Sequence, residues 1–405
     1  MKRIWLILFG VTAIASCDKI DSKGQYLTRI PVFETMESVR AKATPISSPI
    51  AMLKTGKIYV YQDYLFINEP HKGIHIFNNI NPSKPQAISF LNIPGNVDIA
   101  ILDEKLYADS FTDLLTFDLA DPASPKLLTR NKDVFKTVLQ MDYINNKPDM
   151  VVTGYRDSLV SYSYKNKYSP YETKYYDYIA ESGSGRGGSM ARFTLANKHL
   201  YAVDQTTLHL FNVQEASKPV YVKDIKIGAG IETIFPFKNS LFIGSNTGMV
   251  IYDISTASAP VELSRYNHIR ACDPVVVNDK YAFVTLRAGV TCGGQQNLLE
   301  VIDIQDLKQP TLKYSFALEN PHGLALSDQT LYICEGKYGF KSFDANDVSQ
   351  IGNKLLENHK EVKSMDVIAG PNSLVVVGEA GIYQYDYTNK AKLKELSVIP
   401  ITKTN

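Results

Sequence analysis

The chain has 405 residues, 44% of them hydrophobic and 21% charged, with a formal net charge of +1. That is the composition of a packed globular protein with room for one large or two ordinary domains, and its balance of charge gives no electrostatic basis for nucleic-acid binding. Tyr occurs 25 times and Trp once, a bias toward strand-forming residues.

The first segment, residues 1–16, reads as a targeting signal. A basic MKR precedes the apolar run IWLILFGVTAIA, which is too short to span a bilayer. The ending IASC, Ile14 to Cys17, resembles the bacterial lipoprotein signal. That resemblance implies cleavage before Cys17 and a lipid on its thiol, and two or more acyl chains make a stable anchor. Loss of Lys2 and Arg3 would leave 41 basic residues against 42 acidic ones. Residues 17–25, with the polar stretch DKIDSKGQ, read as a tether. In residues 26–48, YLTRIPVFE alternates like a strand and is expected to add to the last blade of the fold described next. Thr35 is expected to cap a short helix that has Ser38 in its first turn.

Residues 49–405 repeat one pattern. GIHIFNNINPSKP (Gly73 to Pro85), LLTFDLADPASP (Leu114 to Pro125) and MVIYDISTASAP (Met249 to Pro260) share an anchor residue, then Asn or Asp, then Pro eight residues after the anchor. The anchors are Phe77, Phe117, Tyr162, Phe211, Tyr252, Ile302, Phe343 and Tyr385. Asn78, Asp118, Asn212, Asp253, Asp303, Asp344 and Asp386 follow them, and Ser163 stands at that place in the third unit. The Asn or Asp starts a turn, and the Pro opens an outer strand, where a missing N–H costs nothing. Two further strands precede each anchor, as in IYVYQ and YLFIN. Four strands in about 42 residues is the period of a propeller blade. The expected fold is all-β, a propeller of eight four-stranded blades, or seven if the third unit (Val134 to Ser169) completes none.

The anchors also carry a family resemblance. LEVIDIQDLKQP (Leu299 to Pro310) and MVIYDISTASAP resemble the LVIVD repeat of exported bacterial β-propellers, and the opening GKIYVYQDYLFINEPHKGIHIFNNINPSKP is similar to lipoproteins of Bacteroidetes-type bacteria. The resemblance implies a fold and an envelope location, with the lipid anchor expected at the outer membrane and the periplasmic or external side left open. It implies no reaction, cofactor or catalytic residue.

Function is therefore sought where the copies differ. One place is the start of each first strand, beside a central channel: Lys57, Asp98, Arg192, Glu232, Asp273, His322 and Asp366. A second is the Tyr-rich loop with Tyr171, Tyr175, Tyr176 and Tyr178, able to grip a protein or sugar. Its Gly183, Gly185 and Gly188 match GxGxxG, but a strand-like segment follows where a nucleotide site needs a helix. A third is Cys272 to Cys292, whose two cysteines are expected to form a disulfide that pins a loop bearing Arg287. Cys334 lies in a strand pattern and reads as a small buried hydrophobe. No spacing of His, Cys and carboxylates marks a metal site. The leading expectation is a lipid-anchored, noncatalytic module that binds a protein or glycan. The alternatives are a lyase or glycosidase-like enzyme at the channel, or an assembly scaffold.

Overall fold

Each repeat folds as the turn chemistry dictates. In the computed structural model, which describes residues 23–42, 46–135, 150–163, 190–267, 274–289 and 296–402, the Asn or Asp after the anchor accepts from the N–H two residues on. The pairs are Asn78 with Ile80, Asp118 with Ala120, Asn212 with Gln214, Asp253 with Ser255, Asp303 with Gln305, Asp344 with Asn346 and Asp386 with Thr388, at 2.7–3.1 Å. Beside each of these seven anchors the pairing of third and fourth strands slips by a bulge. Such a bulge sharpens the local twist.

The outcome is seven blades. Blade 1 has strands Ile58–Tyr61, Tyr64–Glu69, Gly73–Asn78 and Gln86–Asn92, with Ile46–Ser47 added outside the fourth. Blades 2 to 7 occupy residues 99–131, 193–226, 231–267, 275–317, 324–359 and 364–400, each a four-stranded antiparallel meander. The third of the eight repeats is not a blade. Tyr162 lies in the strand Met150–Ser163, which pairs with Lys23–Thr35 in a two-stranded sheet. Ser163 supplies no Asn or Asp at the turn position, which is the departure that marks this unit in the sequence. The strand over Tyr26 to Glu34 forms as expected, but its partner is Met150–Ser163 and not the last blade.

Of the described residues, those in Phe33–Thr153 and Asp177–Asn405 form one unit, which holds the propeller; those in Met1–Val32 and Gly154–Tyr176 form a second, made of strand residues of the two-stranded sheet. Within the propeller unit a helix, α1 (Met36–Ala41), follows the first strand, and Thr35 accepts from Ser38 N at its cap as expected. Met36 and Val39 pack on Phe111 and Val151.

Buried apolar residues are shared between neighbouring blades. Phe117 and Phe211, anchors of blades 2 and 3, are 1% and 0% exposed in one cluster. Burial of such a side chain contributes about 1.5–3 kcal/mol. Blades 7 and 1 close the ring by the same means, with Val375, Val377 and Ile382 against Ile58, Val60 and Leu65. A reciprocal amide pair joins them: Asn79 Nδ2 donates to Gln384 Oε1 (2.9 Å) and Gln384 Nε2 donates to Asn79 Oδ1 (2.8 Å). No described helix is long and apolar enough to cross a membrane.

Candidate functional site

First strands run from one face, here the upper, to the other. Links between second and third strands, and between blades, therefore lie on the upper face. The hairpins between first and second strands and the Asx turns lie on the lower. The lower hairpins are tied to one another: Lys198 to Asp103 (2.8 Å), Lys238 to Asp279 (2.5 Å), Lys390 to Asp328 (2.7 Å) and Asn372 to Asp63 (3.2 Å). The chain departs from its repeat on the upper face, between blades 2 and 3, between blades 4 and 5, and inside blade 5 after Leu286.

Two of the expected channel residues meet directly. Lys57 Nζ is 2.7 Å from Asp98 Oδ2, and both side chains are almost fully buried. The same oxygen accepts from the N–H groups of Arg192 and, at 2.9 Å, Phe193, while Oδ1 accepts from Ile99 N (2.7 Å). Burial pushes the Lys57 ammonium down and the Asp98 carboxyl up, against the attraction of the pair itself. Asp98 thus joins blades 1, 2 and 3, and contributes no open acid to the channel.

Asp109, at the end of the second strand of blade 2, extends this network. Its Oδ1 accepts from Val97 N, Asp98 N and Asn96 Nδ2 at 2.8–2.9 Å. Burial pushes its carboxyl up to about 6 despite those donors. On the other side of blade 2, Asp113 is fully buried and accepts from Arg40 of α1 (2.8 and 2.6 Å), from Arg130 (3.1 Å) and from Asp133 N (3.0 Å). Burial works to raise the Asp113 carboxyl, and these donors outweigh it and hold it below the usual range.

Arg287 and His322 form a second pair. Arg287 Nη1 donates to His322 Nδ1 at 2.6 Å, and Nε2 of the ring lies 3.2 Å from the Asn320 side-chain amide. Burial and the Arg287 cation hold His322 down to about 3, so the ring is neutral, and burial lowers Arg287 to about 10. Arg287, expected in an open loop, is instead 7% exposed. Glu232 is half-buried in blade 4, and Asp366 is buried against Gly323, where a Cβ would sit 2.1 Å from its Oδ1. Cys334 is buried and free, as its strand pattern suggests. Cys17, Asp273, Tyr171, Tyr175, Tyr176, Tyr178, Cys272 and Cys292, and the glycines Gly183, Gly185 and Gly188, lie outside the described residues.

Sequence reasoning missed a recurring motif. An acid at the end of the second strand pairs with a basic side chain two residues before the anchor. Glu69 meets His75 (2.8 Å), Asp204 meets His209 (3.1 Å), and Glu335 meets Lys341 (3.0 Å). The signal was present as a polar residue in an otherwise apolar third strand. Among the described residues, no group of three His, Cys, Asp or Glu side chains is placed to hold a metal.

Comparison with known proteins agrees with this architecture. Residues 239–268, the last three strands of blade 4, match the LVIVD repeat. No curated protein matches. Among solved structures, the periplasmic gluconolactonase PpgL of Pseudomonas aeruginosa is similar with a TM-score of 0.56 and 9% identity, over 87% of this chain and 96% of that one. A functionally unknown protein of Desulfotomaculum acetoxidans gives 0.52 and 12% identity, over 84% and 98%. The computationally designed Ika8 protein gives 0.53 and 9%, over 86% and 90%. At such identities the likeness is one of fold alone. The chain is a seven-bladed β-propeller that carries an LVIVD repeat in its fourth blade.

Proposed function

We propose that this propeller is a noncatalytic binding module of the bacterial cell envelope, held through lipid on Cys17 at the outer membrane, that presents its upper face to a protein or glycan partner. The observation that carries the reading is the asymmetry of the two faces: the lower hairpins are bonded to each other, and every long departure from the repeat begins and ends on the upper side. Loops that leave a rigid scaffold on one side are the usual seat of recognition. The Tyr-rich stretch with Tyr171 to Tyr178 and a Cys272–Cys292 disulfide belong to this proposal, as contact surface and as a pin. Against catalysis, the Lys57–Asp98 pair is closed on itself and spends its oxygens on internal donors. Asp109, pushed up to about 6 by burial beside the likewise raised Asp98, favours the enzyme alternative.

Photo-crosslinking groups on the upper face at Thr247, Lys337 and Glu379, and on the lower at Gln62, Lys238 and Asp328, test the reading in the native host. A discrete adduct from upper positions alone is expected. Equal adducts from both faces would overturn it. Labelling with an acyl-chain analogue that survives Cys17→Ser would remove the anchor, and intact-mass analysis with and without reductant decides the disulfide.

A further inference from the structure

Blade 6 breaks the repeat at its lower turn. In the other six blades the fourth strand begins nine residues after the anchor; in blade 6 it begins at Leu355, twelve after Phe343. The extra residues form a 3-10 turn, Val348–Asn353, and Ile351 stands where six of the repeats in the sequence carry Pro. This turn packs against the outer strand of blade 5, Thr311–Ala317. Between the two blades lies a cleft of about 210 Å³. Its walls are apolar: Phe316 and Leu318 from blade 5, and Phe343, Ile351 and Leu355 from blade 6. Leu355 is 49% exposed, so the cleft opens to solvent on the flank of the ring.

One end of the cleft is charged. Lys341 Nζ is 2.6 Å from Glu319 Oε2 and 3.0 Å from Glu335 Oε1. Glu335 is fully buried, and its Oε2 also accepts from Glu319 N (2.7 Å). Burial works to lower the Lys341 ammonium, and the two carboxylates outweigh it and hold it above its usual value. Two carboxylates against one ammonium leave a single negative charge. Glu319 is half-exposed, and its Oε1 meets no donor among the described residues.

We propose that this cleft binds a small monocation, an apolar body that carries one ammonium group. The aliphatic and aromatic walls take the body, and Glu319 takes the ammonium. The volume is below that of pockets for drug-sized ligands, which fits a ligand near the size of one aromatic side chain. A carboxylate head would meet Glu319 and Glu335 with like charge. Glu319 and Glu335 lie in links on the upper face and the apolar walls continue along the flank, and binding of a small cation here does not depend on a macromolecular partner.

The test uses three compounds of one shape: phenethylamine, 2-phenylethanol and 3-phenylpropanoate, titrated into methyl-labelled mature protein. Saturable shifts at the Ile351 and Leu355 methyls are expected, tightest with the amine, weaker with the alcohol and absent with the carboxylate. Glu319→Gln should weaken the amine about fivefold and leave the alcohol unchanged, as loss of a half-exposed ion pair predicts. Amine and alcohol binding equally to the wild-type protein would overturn the charge assignment. No shift at Ile351 with any compound up to its solubility would overturn the site.

Discussion

Lys57→Met probes whether the buried pair at the channel holds three blades together. Met keeps most of the apolar stem and removes the ammonium, so packing changes little while Asp98 loses one of its four donors. Removal of one partner from a buried pair costs about 3–5 kcal/mol. Three backbone donors still hold the carboxylate here, which places the expected loss near 3 kcal/mol. At about 2 °C per kcal/mol for a domain this large, the Tm should fall by about 6 °C. Asp98→Asn should cost at least as much, because it leaves Lys57 buried without a counter-charge. The double variant should lose less than the sum, with a coupling of about 2 kcal/mol by denaturant unfolding. Hydrogen exchange supplies the spatial readout: Asp98→Ala should expose the amides of Arg192 and Phe193. A coupling within about 0.5 kcal/mol of zero, or unchanged protection at residues 190–196, would refute the reasoning.

Three further outcomes are expected. Asp109→Asn retains an Oδ1 acceptor and removes a charge that burial disfavours. The folded carboxyl binds its proton more tightly than the unfolded one, so its contribution to stability is full below about 4 and lost as pH rises through about 6. The variant should therefore match wild type at pH 3.5 and exceed it by about 1–3 kcal/mol above pH 7, as read by urea unfolding at each pH. Arg40→Ala should cost about 1–3 kcal/mol and expose α1 to limited proteolysis; because the Asp113 carboxyl is held low, the wild-type advantage should be present above its ordinary pKa of 3.8 and disappear on acidification. Gln384→Leu leaves the buried Asn79 amide without its partner, so it should cost about 2–3 kcal/mol and raise hydrogen exchange in blades 1 and 7 before the others.

The fold was legible because the same turn chemistry is written seven times. Asn78 to Asp386 each perform the role that their residue type and spacing imply. The blade count was less legible. Tyr162 sits in a strand that passes for a blade strand by pattern; Ser163 at the turn position was that unit's one departure in the sequence, and pairing with Lys23–Thr35 decides the matter. In the candidate site, the positions of Lys57 and Asp98 at strand starts could be read, and their mutual bond could not. A link between residues 41 apart depends on how two blades lie against each other. The burial of Arg287 against His322 could not be read, because the run of strand residues ends at Leu286, one position before it. The cleft of blade 6 had a visible signal, the loss of Pro at Ile351, whose meaning needed the three extra residues before Leu355 to be placed against Phe316.

Asp113 and Asp98 have a consequence for what this ring can tolerate. Asp113 fixes the backbone at Asp133, where the chain leaves blade 2, and Asp98 fixes it at Arg192, where the chain returns. Both posts belong to the ring, and from the segment between them Phe135 enters the core shared by blades 1 to 3 while Val151 packs with Met36 and Val39 of α1. The entropy of closing a loop rises only by about 0.6 kcal/mol for each doubling of its length. A polypeptide inserted between Phe135 and Val151, with both of those contacts kept, would cost the blades little for its length. The junction of blades 2 and 3 is thus a natural socket, at which one scaffold could acquire new recognition surfaces by exchange of a single insert.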